Sequence, residues 1–369
     1  MRCADLFVKK IEFKSYRNLK DSQYIPSRGV NVICGSNAQG KTNLVECIWL
    51  FTGGRSFRGS KEKDIISFGQ SNAKIKAEFF AEGRDQIMEI SIEKGRRKAT
   101  LNGLERNYLS EIIGTFCAVV FSPDHLTLVK NGPEERRSFL DGAICQIYPL
   151  YAAYLSRYKK ALNERNALLK SIPSKPYLRE TIDVWDEGLA SAGARVALKR
   201  INYINQLTEN AVSIYDGISS GKEKLKLEYR MSYDTSPGCG LEELYEKNLK
   251  ALKEKREEDI SCGFTTTGIH RDDLIIKIND RPARSFGSQG QQRSAVLSLK
   301  LAEAALLGIE KGETPVILLD DVLSELDPSR QNFLLTRLGG MQVFITCCEK
   351  NINSESVVYM KDGMLSAEE

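Results

Sequence analysis

The chain has 369 residues, 41% of them hydrophobic and 28% charged, with a formal net charge of +4. This length predicts about two domains with an ordinary apolar core. No apolar run reaches about 18 residues and no signal-peptide core follows Met1, so we expect a protein that is neither secreted nor membrane-spanning. The nine cysteines form no C-x-x-C pair, which favours reduced thiols in a cytoplasmic protein. The charge is too small to indicate a nucleic-acid partner by itself.

Short alternating strands are predicted from the N-terminus to about Phe121, and helices follow from about Glu134. The predicted strands cover 8–13, 30–34, 75–80, 87–92 and 99–101, and the last is closed by the hairpin signal Asn102-Gly103. The predicted helices cover 134–147, 151–169, 185–215 and 241–258. A strand pair is predicted near 225–233, with a turn at Ser236-Pro237-Gly238.

Strands and helices alternate again after about Phe264, so the helical block divides a mixed α/β pattern in two. We therefore predict that residues 1–132 and 262–369 form one nucleotide-binding domain. Residues 133–261 would form an inserted, mainly helical domain.

Residues 35–42, GSNAQGKT, match the phosphate-loop pattern G-x-x-x-x-G-K-[ST] directly after a predicted strand. Lys41 would reach the β- and γ-phosphates of a nucleotide, and the Thr42 hydroxyl would bind Mg²⁺. A glycine-rich turn that binds nothing is the alternative for this motif alone. The predicted ATP-binding residues are Gly35, Ser36, Asn37, Ala38, Gln39, Gly40, Lys41, Thr42 and Asn43.

A buried-type strand at 315–319 leads into two carboxylates, Asp320 and Asp321. A phosphate loop needs such a strand as its partner. We expect Asp320 to hold the Mg²⁺ together with Thr42, and Asp321 to orient or deprotonate the attacking water. Solvated acids at a strand end are the alternative.

A turn of small polar residues and glycine, Ser288-Gln289-Gly290-Gln291, precedes another predicted helix. A complete phosphate loop needs no second γ-phosphate site in the same protomer. We therefore expect Ser288, Gly290 and Gln291 to act in trans, on the nucleotide of a second copy. The alternative is that Ser288 only caps the helix. Further on, Asp327 is predicted to cap a helix whose first residue is Pro328.

The order of these motifs resembles the ABC-type ATPase heads of the SMC group, and within that group the RecF family. The resemblance covers nearly the whole chain and rests on Asn37 and Asn43 and on the segments 54–58, 121–126, 136–141, 268–273 and 320–321. The familiar ABC head has a glutamate where Asp321 stands and a histidine where Thr346 stands. These two departures suggest slow hydrolysis.

The resemblance implies an α/β fold of the ABC-type head, with a mixed β lobe, a phosphate-loop α/β core and an inserted helical domain. It implies ATP and Mg²⁺ as cofactors, and an ATP-dependent homodimer that binds double-stranded DNA or double-strand to single-strand junctions. It also implies a slow, DNA-stimulated ATPase that works with RecO and RecR to load recombinase at gaps. The associated processes are DNA replication, recombination, repair and the SOS response.

Basic residues that could contact DNA phosphates occur in two parts of the chain. Any one of them could equally belong to a solvated face. They are Arg55, Arg58, Lys61 and Lys63, and in the helical block Arg157, Lys159, Lys160 and Arg165. Two other functions stay open from the sequence: a soluble ABC-type transport ATPase subunit, and a phosphate-loop kinase.

Overall fold

The computed structural model describes residues 4–236, 238–348, 354 and 356–367. The chain separates into two compact units. Unit 1 consists of Met1–Leu126, Gly217–Gly221 and Val296–Glu369, and unit 2 of Thr127–Asp216 and Lys222–Ala295. Within the described residues, no helix is both long and apolar enough to cross a membrane.

Strands dominate the first third and the last quarter of the chain, and long helices lie between them. The strands are β1 (Ala4–Asp5), β2 (Phe7–Lys14), β3 (Ser22–Tyr24), β4 (Val30–Cys34), β5 (Asn72–Ala81), β6 (Arg84–Glu93), β7 (Arg96–Leu101), β8 (Leu104–Arg106), β9 (Ala118–Phe121), β10 (Leu225–Arg230), β11 (Asp273–Ile278), β12 (Arg281–Pro282), β13 (Glu313–Thr314), β14 (Val316–Asp320), β15 (Val343–Cys347), β16 (Ser356–Lys361) and β17 (Met364–Ser366). The α-helices are α1 (Lys41–Leu50), α2 (Thr127–Lys130), α3 (Pro133–Ile147), α4 (Pro149–Ser171), α5 (Ile182–Ser219), α6 (Leu241–Glu254), α7 (Arg256–Cys262), α8 (Ala283–Phe286), α9 (Gln289–Lys311) and α10 (Pro328–Arg337).

A mainly parallel six-stranded sheet forms the centre of unit 1, in the order β17-β16-β4-β15-β14-β9. Strands β4, β14 and β15 are buried along nearly their whole length, as their continuous apolar sequences predict for a sheet covered on both faces. Asp320 of β14 pairs with Thr346 of β15, and Cys347 pairs with Cys34 of β4. The register therefore brings the carboxyl ends of these three strands together.

A second six-stranded sheet in unit 1 is antiparallel, in the order β3-β2-β5-β6-β7-β8. Buried and accessible residues alternate along β5 and β6, as expected for a sheet with one face on the core. The hairpin predicted at Asn102-Gly103 is confirmed. Both residues have positive φ, 52° and 80°, which a two-residue turn between twisted strands requires.

Unit 2 combines helices with the three-stranded sheet β10-β11-β12. The prediction of a local strand pair near 225–233 was wrong, because β10 pairs with β11 from a distant part of the chain. Pro237 of the predicted turn lies outside the described residues. The helix predicted over 241–258 is interrupted at Lys255, between α6 and α7.

The pairing of β10 with β11 also determines which residues belong to unit 2. Through this pairing, residues 273–278 belong to the same unit as the helical block. The sequence pattern instead grouped them with the nucleotide-binding segments. The predicted domains, 1–132 with 262–369 and the inserted 133–261, are meant as parts that fold independently. The two compact units are defined by contacts alone, so the predicted boundaries stay a prediction.

The assignment of Arg165 as a DNA-contacting residue was wrong. Its side chain is fully buried, with ion pairs of 2.7 Å to both Asp186 and Asp259. Arg165 lies on the inner face of α4 with Tyr158 and Leu169, since positions separated by four and seven share one side of a helix. The other three basic residues predicted on α4 are exposed, namely Arg157, Lys159 and Lys160.

Candidate nucleotide-binding site

The predicted phosphate loop connects the end of β4 to the first residue of α1. Gly40 has φ 115°, and a Cβ atom there would lie 2.9 Å from a methyl group of Leu19. A Cβ atom on Gly35 would lie 2.3 Å from the carbonyl oxygen of Met360. Only glycine fits at these positions. The first N–H groups of α1 have no partner within the helix and can receive an anion.

Lys41 folds back over the loop. Its Nζ donates to the carbonyl oxygens of Gly35 at 2.6 Å and Ser36 at 3.0 Å, and the residue is only 4% exposed. A lysine held in this way places a fixed positive charge beside the N-terminus of α1. Charge and helix dipole therefore favour the same anion.

Other residues of the loop are held by neighbouring segments. The side-chain oxygen of Gln39 accepts from the backbone N–H of Asp362 at 2.5 Å, and the side-chain oxygen of Asn37 accepts from the thiol of Cys348 at 3.3 Å. Ala38 has a left-handed backbone with φ 66°. The shape of the loop thus depends on contacts with the C-terminal part of the chain.

Asp320 and Thr42 come together as the sequence predicts for a Mg²⁺ site. Asp320 Oδ1 accepts from the hydroxyls of Thr42 and Thr346, each at 2.9 Å. Burial raises the pKa of the Asp320 carboxyl above its usual range, although both hydrogen bonds oppose that rise. A carboxylate and a hydroxyl beside a phosphate loop fit Mg²⁺, which is usually bound by one or two carboxylates with phosphates and waters.

Thr346, where the familiar ABC head has a histidine, contacts both carboxylate residues. Its Oγ1 donates to Asp320 and accepts from the backbone N–H of Asp321 at 2.9 Å. Asp321 itself has a left-handed backbone, with φ 53°. One hydroxyl therefore orients both carboxylate residues. The sequence alone marked Thr346 only as a departure from the ABC pattern.

We expect Thr346→Val to reduce the free energy of unfolding by about 1–3 kcal/mol, because it removes one of the two hydroxyls that donate to buried Asp320 and leaves the N–H of Asp321 without its partner. Thermal or urea unfolding measures this loss. Thr346→Ser keeps the hydroxyl and should restore most of the stability. Equal stability of the Val variant and the unchanged protein would contradict the role assigned to the hydroxyl.

The loop opens into a cavity of about 1280 Å³. Lys41, Thr42, Asn43 and Asp321 line one part of it, so the structure brings these four predicted residues together. Elsewhere the cavity is lined mainly by polar and charged side chains, including the predicted DNA contacts Arg58, Lys61 and Lys63. The fourth predicted contact, Arg55, is exposed but does not line the cavity.

A chain of amides links the loop to Arg58. Arg58 Nη1 donates to Asn43 Oδ1 at 2.8 Å, and Asn43 Nδ2 donates to Asn18 Oδ1 at 2.6 Å. Asn18 Nδ2 in turn lies 3.3 Å from the carbonyl oxygen of Ala38. Sequence reasoning missed Asn18, because a single asparagine in an N-terminal turn matches no motif.

An ion pair holds α1 in place from its buried side. Glu46 is fully buried and accepts from Arg17 Nε and Nη2, both at 2.8 Å. The hydroxyl of Ser56 also donates to Glu46. This contact orients the helix that carries the phosphate loop, and nothing in the spacing of these residues predicted it.

The Ser288 turn lies in unit 2 at the exposed N-terminus of α9. Ser288 Oγ accepts from the N–H of Gln291 at 3.2 Å, and Ser288 N–H donates to Gln291 Oε1 at 2.8 Å. The capping role of Ser288 is therefore confirmed, and it can hold together with a role in trans, which stays a prediction. Asp327 is likewise confirmed as a cap, since it accepts from Arg330 N–H at 3.1 Å.

This fold and this loop define an ABC-type ATPase head. Residues 7–365 match the family described as RecF/RecN/SMC N terminal domain. An SMC head domain from Pyrococcus furiosus has the same fold, with a TM-score of 0.56 at 18% identity, covering 98% of this chain and 95% of that chain. The chain belongs to the RecF family of DNA replication and repair proteins, as the following relatives show.

Two proteins named DNA replication and repair protein RecF illustrate the sequence similarity. The protein from Bacillus cytotoxicus is 39% identical over 98% of this chain and 99% of its own length. The protein from Bacillus subtilis is 40% identical over 92% and 93%. A solved structure described as the recombination mediator protein RecF-ATPrS in the RecFOR pathway superimposes with a TM-score of 0.94, at 36% identity and 99% coverage of both chains.

Proposed function

We propose that this chain is an ATP-operated DNA-binding switch of recombinational repair. ATP with Mg²⁺ closes a homodimer on double-stranded DNA or on a junction with single-stranded DNA, and slow hydrolysis opens it again. One observation carries this proposal: the hydroxyls of Thr42 and Thr346 both donate to Asp320 beside the phosphate loop. Asp321 lines the cavity into which that loop opens. Solved relatives described as RecF-ATPrS and RecF-ATP support ATP as the nucleotide.

Each residue of the loop has a separate task in this proposal. The N–H groups after Gly35 and Lys41 hold the phosphates, while Thr42 and Asp320 hold Mg²⁺. Asp321 then acts on the water that attacks the γ-phosphate. Its side chain is one methylene shorter than the glutamate of the familiar ABC head, and Thr346 offers no imidazole, so we expect slow turnover suited to a switch.

The exposed Ser288 turn supports dimer closure. Ser288, Gly290 and Gln291 form a helix N-terminus that is accessible to a second copy, where it would contact the γ-phosphate held by Lys41. A ligand favours the closed dimer only through contacts made there and absent from the monomer. Loss of the γ-phosphate removes those contacts, so hydrolysis opens the dimer.

DNA is the partner that best fits the rim of the cavity. Lys61 and Lys63 are exposed, and Lys94 at the β6–β7 turn lines both this cavity and a smaller one of about 430 Å³ that includes Arg96 and Lys98. Within the described part of the chain, Lys61, Lys63 and Arg96 form no ion pair. Unpaired cations suit the phosphate backbone of DNA.

The wider role proposed for the chain follows its relatives. One relative is described as a recombination mediator of the RecFOR pathway. By analogy, this chain would act with RecO and RecR in the cytoplasm to load recombinase on single-stranded gaps, including during the SOS response. DNA would stimulate its ATPase activity.

The transport-subunit and kinase alternatives predict different behaviour. A transport subunit would show no ATP-dependent affinity for DNA, and a kinase would act as a monomer. Family membership favours the repair function over both. Sedimentation of the full chain with and without ATP and duplex DNA separates the three, since only the repair switch should dimerise and bind DNA in response to ATP.

We expect Ser288→Arg to remain a monomer in ATP while binding the nucleotide normally, because the long side chain blocks approach of the turn to a second copy. Sedimentation measures the mass, and calorimetry measures ATP binding. Ser285→Arg is the matched control, since Ser285 is also exposed and lies three residues earlier. A Ser288→Arg protein that dimerises in ATP would contradict the role in trans.

DNA affinity should fall about tenfold or more between about 50 and 200 mM salt, because binding through phosphates releases counterions. Fluorescence anisotropy with a labelled duplex gives the salt dependence.

Charge reversal at Lys94 or Arg96 should reduce the slope of log affinity against log salt by about one for each DNA phosphate that is no longer neutralised. Lys250→Glu, at an exposed position of α6, changes the net charge equally and should have no effect. A flat salt response would indicate that these residues are only solvated.

A further inference from the structure

Three cysteines lie beside the phosphate loop. Cys34 ends β4 and Cys347 ends β15; the two residues pair in register, and their Sγ atoms are 3.4 Å apart. Cys348 follows directly, with its Sγ 3.3 Å from Asn37 Oδ1 and 3.9 Å from Lys41 Nζ. A thiol is therefore in contact with the residues that would hold the nucleotide.

The three thiols differ in their access to reagents. Cys34 is buried and Cys347 is half-buried, and they are hydrogen-bonded to each other. Burial is the main cause that raises the pKa of the Cys347 thiol to about 12, so it is almost entirely protonated at neutral pH. Cys348 is exposed. Because the thiolate is the nucleophile, thiol chemistry at this end of the sheet is directed to Cys348.

The positive groups near Cys348 also favour reagents that carry a negative charge. The buried ammonium of Lys41 and the N-terminus of α1 form an anion site. A small disulfide that carries carboxylates can place a negative group there while its sulfur reaches Cys348 Sγ. A cationic disulfide would be repelled by the same groups.

We propose that Cys348 is a modification site for anionic low-molecular-weight disulfides, and that the resulting adduct and ATP exclude one another. This inference rests on the proposed binding of ATP at the phosphate loop. The adduct would lie beside Lys41, in the space that the phosphates of ATP need.

The reaction is thiol–disulfide exchange. Cys348 loses its proton to solvent, and its sulfur attacks one sulfur of the reagent. A new S–S bond forms while the S–S bond of the reagent breaks, and the other half leaves as a thiolate. Cys348 is oxidised and the released half is reduced. An added thiol reverses the exchange and should restore ATP binding.

The test uses the full chain and the anionic reagent dithiobis(nitrobenzoate). Peptide mass mapping follows the labelling of Cys348 and of Cys262, an exposed cysteine at the end of α7. With ATP at about ten times its Kd, labelling of Cys348 should slow about tenfold, since only the free protein reacts. Labelling of Cys262 should not change. Cationic cystamine should favour Cys348 over Cys262 less than the anionic reagent does.

Calorimetry supplies the second measurement. The labelled protein should lose ATP binding, and dithiothreitol should restore it. Cys348→Ser should bind ATP and resist the reagent, whereas Cys262→Ser should stay sensitive. If Cys348→Ser fails to fold, the slowing of Cys348 labelling by ATP in the unchanged protein still tests the inference.

Two results would overturn the inference: labelling of Cys348 at the same rate with and without bound ATP, or a labelled protein that binds ATP as before. An unmodified chain that binds no ATP would instead refute the proposed function. The two failures are therefore distinguishable.

Discussion

Asp321→Asn is expected to slow ATP hydrolysis by about 100-fold or more, because the amide cannot accept the proton of the attacking water. The replacement has nearly the same shape. Asparagine also tolerates the left-handed backbone that Asp321 adopts at φ 53°, so the variant should fold normally. ATP binding should persist, since Lys41, Thr42 and Asp320 are unchanged. We therefore expect the variant to accumulate as an ATP-bound dimer.

Phosphate release measures hydrolysis, and sedimentation in ATP measures the dimer. Glu310→Gln makes the same change of charge at an exposed position near the end of α9, and should leave both unchanged. Unaltered hydrolysis in Asp321→Asn would exclude this residue as the group that acts on water. A variant that sediments only as monomer in ATP would count against closure by the bound nucleotide.

Lys41→Ala is expected to weaken ATP binding by about 100-fold or more. Each hydrogen bond to a charged group contributes about 1.5–3 kcal/mol, and Lys41 would contact two phosphates. A change of about 1.4 kcal/mol is a factor of ten in affinity. Calorimetry with Mg²⁺ and ATP gives the dissociation constant directly. ATP-dependent dimerisation and DNA binding should be lost together.

Lys41 also stabilises the loop, since its Nζ donates to the carbonyl oxygens of Gly35 and Ser36. Lys41→Met keeps most of the buried stem but removes the ammonium and its two hydrogen bonds, so comparison with Lys41→Ala separates loss of the ammonium from loss of the buried stem. Lys160→Ala removes a lysine whose side chain is 78% exposed on α4, and it should bind ATP normally. Normal ATP affinity in both Lys41 variants would refute the assignment of the site.

Local patterns predicted the elements that carry the site. The strand β4 and the glycines after it follow from an apolar run and a turn that only glycine can form. The strand β14 follows from a continuous apolar run that ends in Asp320. Such predictions succeed because the residues that determine them are adjacent in the chain.

Long-range pairing limited the predictions. β10 was expected to have a local partner, but its partner β11 comes from a distant segment. Arg165 carries the sequence signal of an exposed cation and is instead buried between Asp186 and Asp259. A charge pattern gives no information on whether two acids from other helices converge on the same point.

By itself, the sequence determined the class of the protein and predicted the chemistry of its site, because phosphate binding needs fixed residue types at fixed spacing. Only the tertiary structure decided how those residues are supported. Parallel register places Thr346 beside Asp320 and Cys347 beside Cys34, and the fold places Lys94 at the rim of the same cavity as Lys41. Such contacts join segments far apart in the chain, and they depend on the packing of the whole unit rather than on any local pattern.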